Sequence, residues 1–382
     1  MRQLLQVGKE SIAASIAGSV AGSVAGIIAA VFLTGLCGVP FASAQVSNNY
    51  GAYRLFSQGA GRVMAMGGAF VAIVDDATAA GYNPAGAALS KWRFDFGGTN
   101  NRVDDRADLQ QSSYSSFQAV TEAYSFVSYA VAARAGSFVF GMGVSTPYQY
   151  HYSDYLQNAS IVLMRYDAML SWRMGNSFAM GISGHHEDLR EHFDQSSLSG
   201  EARGTAISLS GGALYRTRKA GIGVVYFQGH EIPVTETGAQ SPVIAAWLRN
   251  VVVPAATCVG GFYYLHERFM IAVDVDRFEI PRNVIDASSE LQMVGEVSLT
   301  PGTQQVLHGG FEWTLIEDRH MNIVFRGGGY VEPARILYSE SRFHRTYGLQ
   351  VQFGPAVLTV SFDQANNFSN TSQGFSLVLG AI

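Results

Sequence analysis

Segments that alternate between two kinds of side chain recur along this chain after Lys91. In residues 137–144 and 178–182, bulky apolar residues alternate with mostly small ones. Alternation with a period of two residues is typical of a β-strand that has two different faces. A soluble sheet would carry charged residues on its outer face, whereas here the second face is often Gly, Ala or Ser. The pattern therefore favours a transmembrane barrel, with apolar residues toward lipid and small or polar residues toward the lumen.

Composition supports a membrane environment. Only 14% of the 382 residues are charged, against about 25% in average proteins. After residue 45 there is no run of 18 apolar residues, so spanning by helices is excluded. The formal net charge of −5 gives no basic face, and we expect no nucleic-acid partner.

Counting the alternating segments after Lys91 gives about fourteen strands, an even number as in bacterial barrels. Short turns alternate with longer connections, as expected of periplasmic turns and external loops. We predict an all-β fold, a transmembrane antiparallel barrel over residues 92–382, in which the seventh strand covers 219–230 and the eighth covers 251–264.

The N-terminus predicts export. Residues 1–44 read as a signal peptide, with an apolar stretch over 27–36 and the small-x-small pattern Ala42–Ala44 before the cleavage point. The alternative is a retained membrane anchor. Removal of this segment would leave Cys258 alone and exclude an intramolecular disulfide. We therefore expect an exported protein of the bacterial outer membrane.

Residues 45–91 form a predicted hatch. The stretch 59–91 is rich in Gly and Ala, which argues against a strand, and its glycines and Pro84 argue against a long helix. The stretch is therefore predicted to form a compact segment of short helical turns, which must pack inside another part of the fold. Asp75 and Asp76 would need partners inside a barrel, and Arg62 is the candidate. The alternative is a solvated turn on the periplasmic side.

Three motifs carry a family resemblance. The first comprises Gly59–Arg62, Met66–Phe70, Asp75–Ala77 and Asn83–Gly86; the second is Val253–Thr257; the third is Val306–Trp313 with Phe325–Tyr330. Together they resemble the FadL family of outer-membrane transporters of long-chain fatty acids and other hydrophobic compounds. The motif Met66–Phe70 is closer still to the PorV-like and spirochaetal branches of the FadL superfamily.

The resemblance implies a fourteen-stranded barrel with the N-terminal segment folded into the lumen as a hatch. It further implies that the Asn-Pro-Ala turn sits against a kink in the third strand, where a gap in the wall releases ligand sideways into the membrane. Gly141 and Gly143 are the candidates for that kink, although they also fit ordinary small lumen residues. The predicted gate residues are Arg62, Asp75, Asp76, Asn83, Pro84, Ala85 and Gly86.

Two stretches predict ligand capture at the outer end. Tyr148 and Tyr150 lie in a tyrosine-rich stretch, which fits either a landing surface or, as we favour, the aromatic girdle of the membrane interface. Ile244, Trp247 and Leu248 lie in an apolar part of a long loop. They fit either an apolar lip or packing between loops.

The sequence predicts neither a metal site nor enzyme activity. His185, His186, Glu187, Asp188 and His192 are close in sequence, but on a strand they divide between opposite faces. The HExxH, GxSxG and P-loop patterns do not occur, which lowers an enzyme interpretation without removing it. We expect no cofactor.

The predicted function is passive uptake of hydrophobic small molecules such as long-chain fatty acids, gated by the hatch and with lateral release. The expected partners are an apolar ligand and outer-membrane lipid. The alternative is a PorV-like barrel that serves an envelope protein in secretion or surface anchoring.

Overall fold

The computed structural model describes residues 61–91, 94–105, 122–153, 157–195, 198–237, 251–280, 302–318, 321–332, 342–365 and 370–381. The predicted signal peptide, residues 1–44, and the first part of the predicted hatch, 45–60, lie outside these ranges and stay predictions. Within the same ranges, no helix is long and apolar enough to cross a membrane.

The described ranges contain strands that almost all follow the alternating segments of the sequence. They are β1 (Phe94–Asp105), β2 (Glu122–Ala135), β3 (Phe138–Ser153), β4 (Gln157–Met174), β5 (Phe178–Gln195), β6 (Leu198–Arg216), β7 (Ala220–Phe227), β8 (His230–Ile232), β9 (Val234–Thr237), β10 (Val251–Val253), β11 (Ala255–His266), β12 (Phe269–Ile280), β13 (Gly302–Glu317), β14 (Met321–Glu332), β15 (Arg342–Phe353), β16 (Ala356–Ala365) and β17 (Asn370–Ala381).

The strands form a closed antiparallel barrel. Chain neighbours pair from β1 to β7 and from β11 to β17, and β7 pairs with β11. The first and last strands close the wall, pairing from Phe94↔Ala381 to Asp105↔Asn370. β1–β7 and β11–β17 together make the fourteen strands of the wall, so the predicted fold class is confirmed.

The two faces of the wall differ as the alternation predicts. On β6, Ile207 and Leu209 are 74% and 58% exposed on the outside, whereas Ser208 and Ser210 are buried on the inside. On β7 the buried inner positions alternate with exposed ones in the same way. Because the outward side chains are apolar, the outer surface suits lipid and the lumen takes the polar groups.

The wall departs from prediction between β7 and β11. The predicted seventh strand ends early at Phe227, and the eighth is interrupted at Pro254, which has no N–H to donate to a ladder. β8 pairs with β10, while β9 returns to pair with the outer end of β6. Ile232 of β8 packs on Leu163 and Leu189, two inward residues of β4 and β5. This part of the chain therefore leans into the lumen.

Residues 61–91, which we call the inner segment, fill part of the lumen. They contain a short helix α1 (Gly61–Ala65) and two 3₁₀ helices, Ala77–Gly81 and Pro84–Leu89. Most of their side chains are completely buried, including the larger Met66 and Phe70. Short helical turns are what the Gly and Ala content of this stretch predicts.

Glycines on the inner face of the wall let the inner segment approach the strand backbones. A Cβ added at Gly328 would lie 2.5 Å from the carbonyl carbon of Met66, and one at Gly348 would lie 2.6 Å from Cβ of Ala65. At Gly310 an added Cβ would overlap the carbonyl of Met66. Backbone contact of this closeness requires glycine.

Gly310→Ala should therefore displace the inner segment. We expect the overlap with Met66 to cost about 1–3 kcal/mol, as overpacking does. The readouts are the temperature of the heat-induced mobility shift of the folded barrel on gels and protease cleavage of residues 61–91. Gly309→Ala is the matched control, because an added Cβ there has no heavy atom within 4 Å. Equal behaviour of the two variants would contradict the packing described here.

Candidate functional site

The turn at Asn83 and Pro84 is held by both ends of the Asn83 amide. Its Nδ2 donates to the carbonyl of Val71 at 2.9 Å, and its Oδ1 accepts from the N–H of Ala85 at 3.2 Å. The hydroxyl of Ser171 on β4 donates to the carbonyl of Pro84. Asn83 is fully buried, and its side chain caps the second 3₁₀ helix.

The turn lies against three glycines of neighbouring strands. A Cβ at Gly181 on β5 would lie 2.5 Å from the carbonyl carbon of Pro84, and one at Gly212 on β6 would overlap Oδ1 of Asn83. A Cβ at Gly223 on β7 would lie 2.7 Å from the carbonyl oxygen of Val71 and 3.2 Å from Nδ2 of Asn83. The turn thus sits on β4–β7, because these strands offer backbone without side chains. The resemblance implies a position against the third strand instead.

The third strand meets a different part of the inner segment. β3 is touched mainly by the 3₁₀ helix Ala77–Gly81. Gly141 and Gly143 pair in regular register with both β2 and β4. The register shift in β3 lies between Ser145 and Tyr148, beyond these two glycines. The irregularity therefore falls next to Pro147, which cannot donate to a ladder.

Ala85 and Gly86 continue the turn inside the inner segment. Ala85 is fully buried. A Cβ at Gly86 would overlap the side chain and the carbonyl of Val74, so the second 3₁₀ helix packs directly on the chain that precedes the first. The two halves of the segment therefore form one packed body.

A layer of charged side chains joins the inner segment to the wall near the short turns. Nη1 of Arg62 lies 2.8 Å from Oδ1 of Asp75, and its Nε lies 3.2 Å from Oε2 of Glu312 on β13. Arg326 on β14 binds the same Glu312 oxygen at 2.6 Å. Arg216 on β6 reaches Asp75 at 3.5 Å. The Arg62–Asp75 pair is the one that the sequence suggested.

Burial and neighbouring charges act differently on the pKa values of Arg62 and Asp76. Burial would lower the pKa of Arg62, but Glu312 and Asp75 outweigh it and raise that pKa above its ordinary value. Burial and the adjacent Asp75 raise the pKa of Asp76. Asp76 accepts from the backbone N–H of Thr78 at 2.9 Å, so it caps the first 3₁₀ helix.

Farther from the short turns, carboxylates pair with histidines along the lumen wall. Nδ1 of His185 lies 2.6 Å from Oδ1 of Asp167, and its Nε2 lies 2.8 Å from Oγ of Ser210. Three more pairs follow the same rule: Glu187 with His230, Asp276 with His308, and Asp363 with His344. His308 also bonds to the carbonyl of Gly67, which ties the inner segment to β13.

The histidine-rich stretch of β5 divides between the two faces of the wall. His185 and Glu187 are buried in the lumen, whereas His186 is exposed and Asp188 pairs with Arg190 on the outside. Among the described residues, no group of three or more His, Cys, Asp or Glu is arranged to hold a metal ion.

The predicted capture residues have side chains outside the described part of the chain. Ile244, Trp247 and Leu248 lie outside the described ranges. Tyr148 and Tyr150 belong to β3 and pair with Leu163 and Ile161, but their side chains lie outside the description. Ligand capture by these residues stays a prediction.

Sequence reasoning missed the wall partners of the inner segment, chiefly Glu312 and Arg326. A signal for Glu312 was present, because it stands between the aromatic residues Phe311 and Trp313. In an alternating strand, a carboxylate between two lipid-facing rings must face the lumen. No comparable signal marks its pairing with Arg62, since the two lie 250 residues apart in the chain.

No protein-family model and no curated protein matches this chain. Several solved structures match most of it. A FadL homologue of Pseudomonas aeruginosa is 13% identical, covers 88% of this chain and 99% of its own, and gives a TM-score of 0.56. For the toluene transporter TbuX of Ralstonia pickettii the identity is 15%, the coverage 84% and 97%, and the TM-score 0.56. For the toluene transporter TodX of Pseudomonas putida these values are 12%, 88%, 98% and 0.53.

The fold is that of the FadL-type barrels. The likeness spans nearly the full length of the solved structures. At identities of 15% and below it establishes the fold of this chain. The PorV-like or spirochaetal affinity stays a prediction.

The hydrogen-bonded side chains of Asp167, His185 and Ser210 have the order of groups found in serine hydrolases. We expect them to stabilise the barrel rather than to catalyse a reaction. Ser210 lies within a regular strand, paired with Ser183 and Phe227, and is only 4% exposed. A nucleophile also needs an approach path and oxyanion donors. An alkyl fluorophosphonate should therefore leave the folded barrel unlabelled, as judged by intact mass. An adduct on Ser210 that disappears in His185→Ala but persists in Ser208→Ala would show a hydrolase instead.

Proposed function

We propose that this chain is a passive outer-membrane channel for hydrophobic small molecules, with residues 61–91 as its hatch. One observation carries the proposal: a closed barrel encloses a segment of small residues that packs on glycines of the wall and is joined to the wall by hydrogen bonds and ion pairs. Such a segment blocks the lumen while it is seated and can open a path when it shifts. The ligand's own gradient drives passage, so no energy source is needed.

The comparisons support an apolar ligand. Two of the matching barrels are described as toluene transporters, and a third, CymD, as a monoaromatic hydrocarbon channel. Their fold is the fold of this chain. We extend their class of ligand to it, and long-chain fatty acids, which the sequence suggests, are one member of the wider class of hydrophobic compounds.

The proposed moving unit is the Asn83–Pro84 turn. In the described part of the chain, the turn meets the wall at the Ser171 hydroxyl on one side and at glycines of β5, β6 and β7 on the other. Proline fixes the turn so that it can shift without being remodelled. The Arg62–Glu312 contact near the short turns would anchor the other end of the segment during that motion.

Lateral release forms part of the proposal, and the wall between β2 and β3 supports it. The β2–β3 ladder ends at Ser128↔Ser145, although β2 continues to Glu122 and β3 to Ser153. The register of β3 with β4 shifts just past the same point. An interval in which neighbouring strands are not laddered is a suitable exit toward lipid, and the 3₁₀ helix Ala77–Gly81 contacts both of these strands.

Uptake assays test the channel. Cells that carry the protein should accumulate labelled toluene or oleate faster than cells that lack it, at equal levels of other outer-membrane proteins. The reason is that a lumen open to apolar solutes bypasses the outer leaflet. If the two kinds of cell take up each compound at the same rate, the proposal is overturned. Stable copurification of an envelope protein would then favour the PorV-like alternative.

Substitution of the turn tests the hatch. Asn83→Ala with Pro84→Ala removes the two Asn83 hydrogen bonds, worth about 1 kcal/mol each, and should impair uptake several-fold while the barrel still folds. Folding is checked by the heat-induced mobility shift. Asn176→Ala, in the exposed β4–β5 turn, is the matched control and should transport normally. If the double variant fails to assemble, the segment is a structural plug and the gating idea is wrong.

A further inference from the structure

Two short strands at the break between β7 and β11 form a small sheet of their own. They are β8 and β10, which pair over three residues each and which we call the tongue. Pro233 follows β8 and Pro254 follows β10, and proline has no N–H to continue a ladder into the next strand. The tongue is therefore a separate two-stranded unit at the place where the chain leans into the lumen.

Ile232 of the tongue fills an apolar seat on the inner face of the wall. Its side chain is fully buried and packs on Leu163 of β4 and Leu189 of β5. Gly204 of β6 completes the seat, because a Cβ there would lie 2.5 Å from the carbonyl oxygen of Pro233 and 3.0 Å from Cγ2 of Ile232. Leu163 pairs with Leu189, and Leu189 pairs with Gly204. The tongue thus rests on one row of residues that crosses three neighbouring strands.

A polar contact holds the tongue beside this seat. Nε2 of His230 bonds to Oε2 of Glu187, which lies on β5 two residues from Leu189 and nearer the short turn. Residues two apart on a strand share one face, so Glu187 and Leu189 both point into the lumen. Nδ1 of His230 lies 3.2 Å from the carbonyl oxygen of Gln228. The tongue is therefore fixed to β5 by an apolar and a polar side chain together.

The tongue and the Asn83 turn sit on the same three strands. The turn lies on Ser171 of β4, Gly181 of β5 and Gly212 of β6, which pair with one another as a second row. The seat of Ile232 is eight residues farther from the short turns on each of these strands. At about 3.3 Å per residue, the two rows are roughly 26 Å apart along the strands. A solute that approaches the turn along these strands from the outer end therefore meets the tongue first.

The seat is an apolar level between polar levels of the lumen wall. The next row toward the short turns contains Arg165 and Glu187, and the next row outward contains Glu191. Apolar groups gain free energy by leaving water, which keeps Ile232 on the seat. The same gain is open to another apolar group that takes its place. A hydrophobic solute at this level therefore competes with Ile232 for Leu163 and Leu189.

We infer that the tongue is an outer gate of the channel, which an entering hydrophobic molecule opens by replacing Ile232 on Leu163 and Leu189. The inference rests on the proposed channel function and adds a second gate outside the hatch. The closed tongue covers the approach to the Asn83 turn, and the seat that it occupies accepts alkyl and aryl groups. A charged group would be desolvated on this seat, so it does not open the gate.

Cysteine labelling tests the exchange. Ile232→Cys and Leu189→Cys are made separately in the full-length protein, reconstituted in liposomes, and treated with a water-soluble maleimide with and without toluene or oleate. We expect the transported compound to speed labelling of Ile232→Cys several-fold, because that side chain leaves the seat. Labelling of Leu189→Cys should not rise, because the ligand then covers it. Asn176→Cys, in the exposed β4–β5 turn, should label equally in all conditions.

The outcomes separate the gate from the channel. The unsubstituted protein is the blank for labelling, and the uptake assay described above is run on the same protein. If toluene or oleate is taken up but labelling of Ile232→Cys does not change, the gate is overturned and the channel stands. If neither compound is taken up, the channel and the gate are overturned together.

Ile232→Ala tests the gate by uptake. It empties the seat and loosens the tongue, so uptake at low ligand concentration should rise several-fold. Ile207→Ala is the matched control, because it removes the same atoms from the outer face of β6, where Ile207 is 74% exposed. Glu187→Gln weakens the contact with His230 but leaves the seat intact, and it should raise uptake less. With folded barrels shown by the heat-induced mobility shift, no rise in either Ile232→Ala or Glu187→Gln would overturn the gate.

Discussion

A bilayer offers no hydrogen bonds to a polypeptide backbone, and that constraint shapes this molecule. Pairing of β1 with β17 answers it by closing the sheet, so that the first and last strands leave no open edge. Closure creates a lumen whose inner face is free to be polar, and the alternation of side chains fills that face with carboxylates, imidazoles, serines and glycines. The enclosed inner segment and the charged side chains that join it to the wall both depend on this closure.

The fold was readable from sequence because strand alternation is a local property. Ile207 and Leu209 against Ser208 and Ser210 show their two faces without knowledge of any partner. The pairing of Arg62 with Asp75 was also accessible, since both belong to the short inner segment. The break before β11 was within reach too, because Pro254 cannot serve as a ladder donor; a continuous strand was expected there.

What sequence could not supply is the placement of the inner segment around the ring. The Asn83 turn sits on β4–β7 because Gly181, Gly212 and Gly223 come to one level there, and that level follows from strand stagger. Stagger is set by pairing along the whole barrel rather than by any single strand. The same reason hides the pairs of Arg62 with Glu312 and of Glu187 with His230, whose members are far apart in the chain.

The glycine lining of the wall has a consequence for how such barrels can change. Gly310 and Gly328 accommodate Met66, and Gly212 accommodates Asn83, by backbone contact alone. A new side chain on either surface therefore needs a compensating loss on the other. Substitutions in the wall and in the inner segment must therefore compensate each other. A segment grafted from a related barrel would seat only if its own glycines came with it.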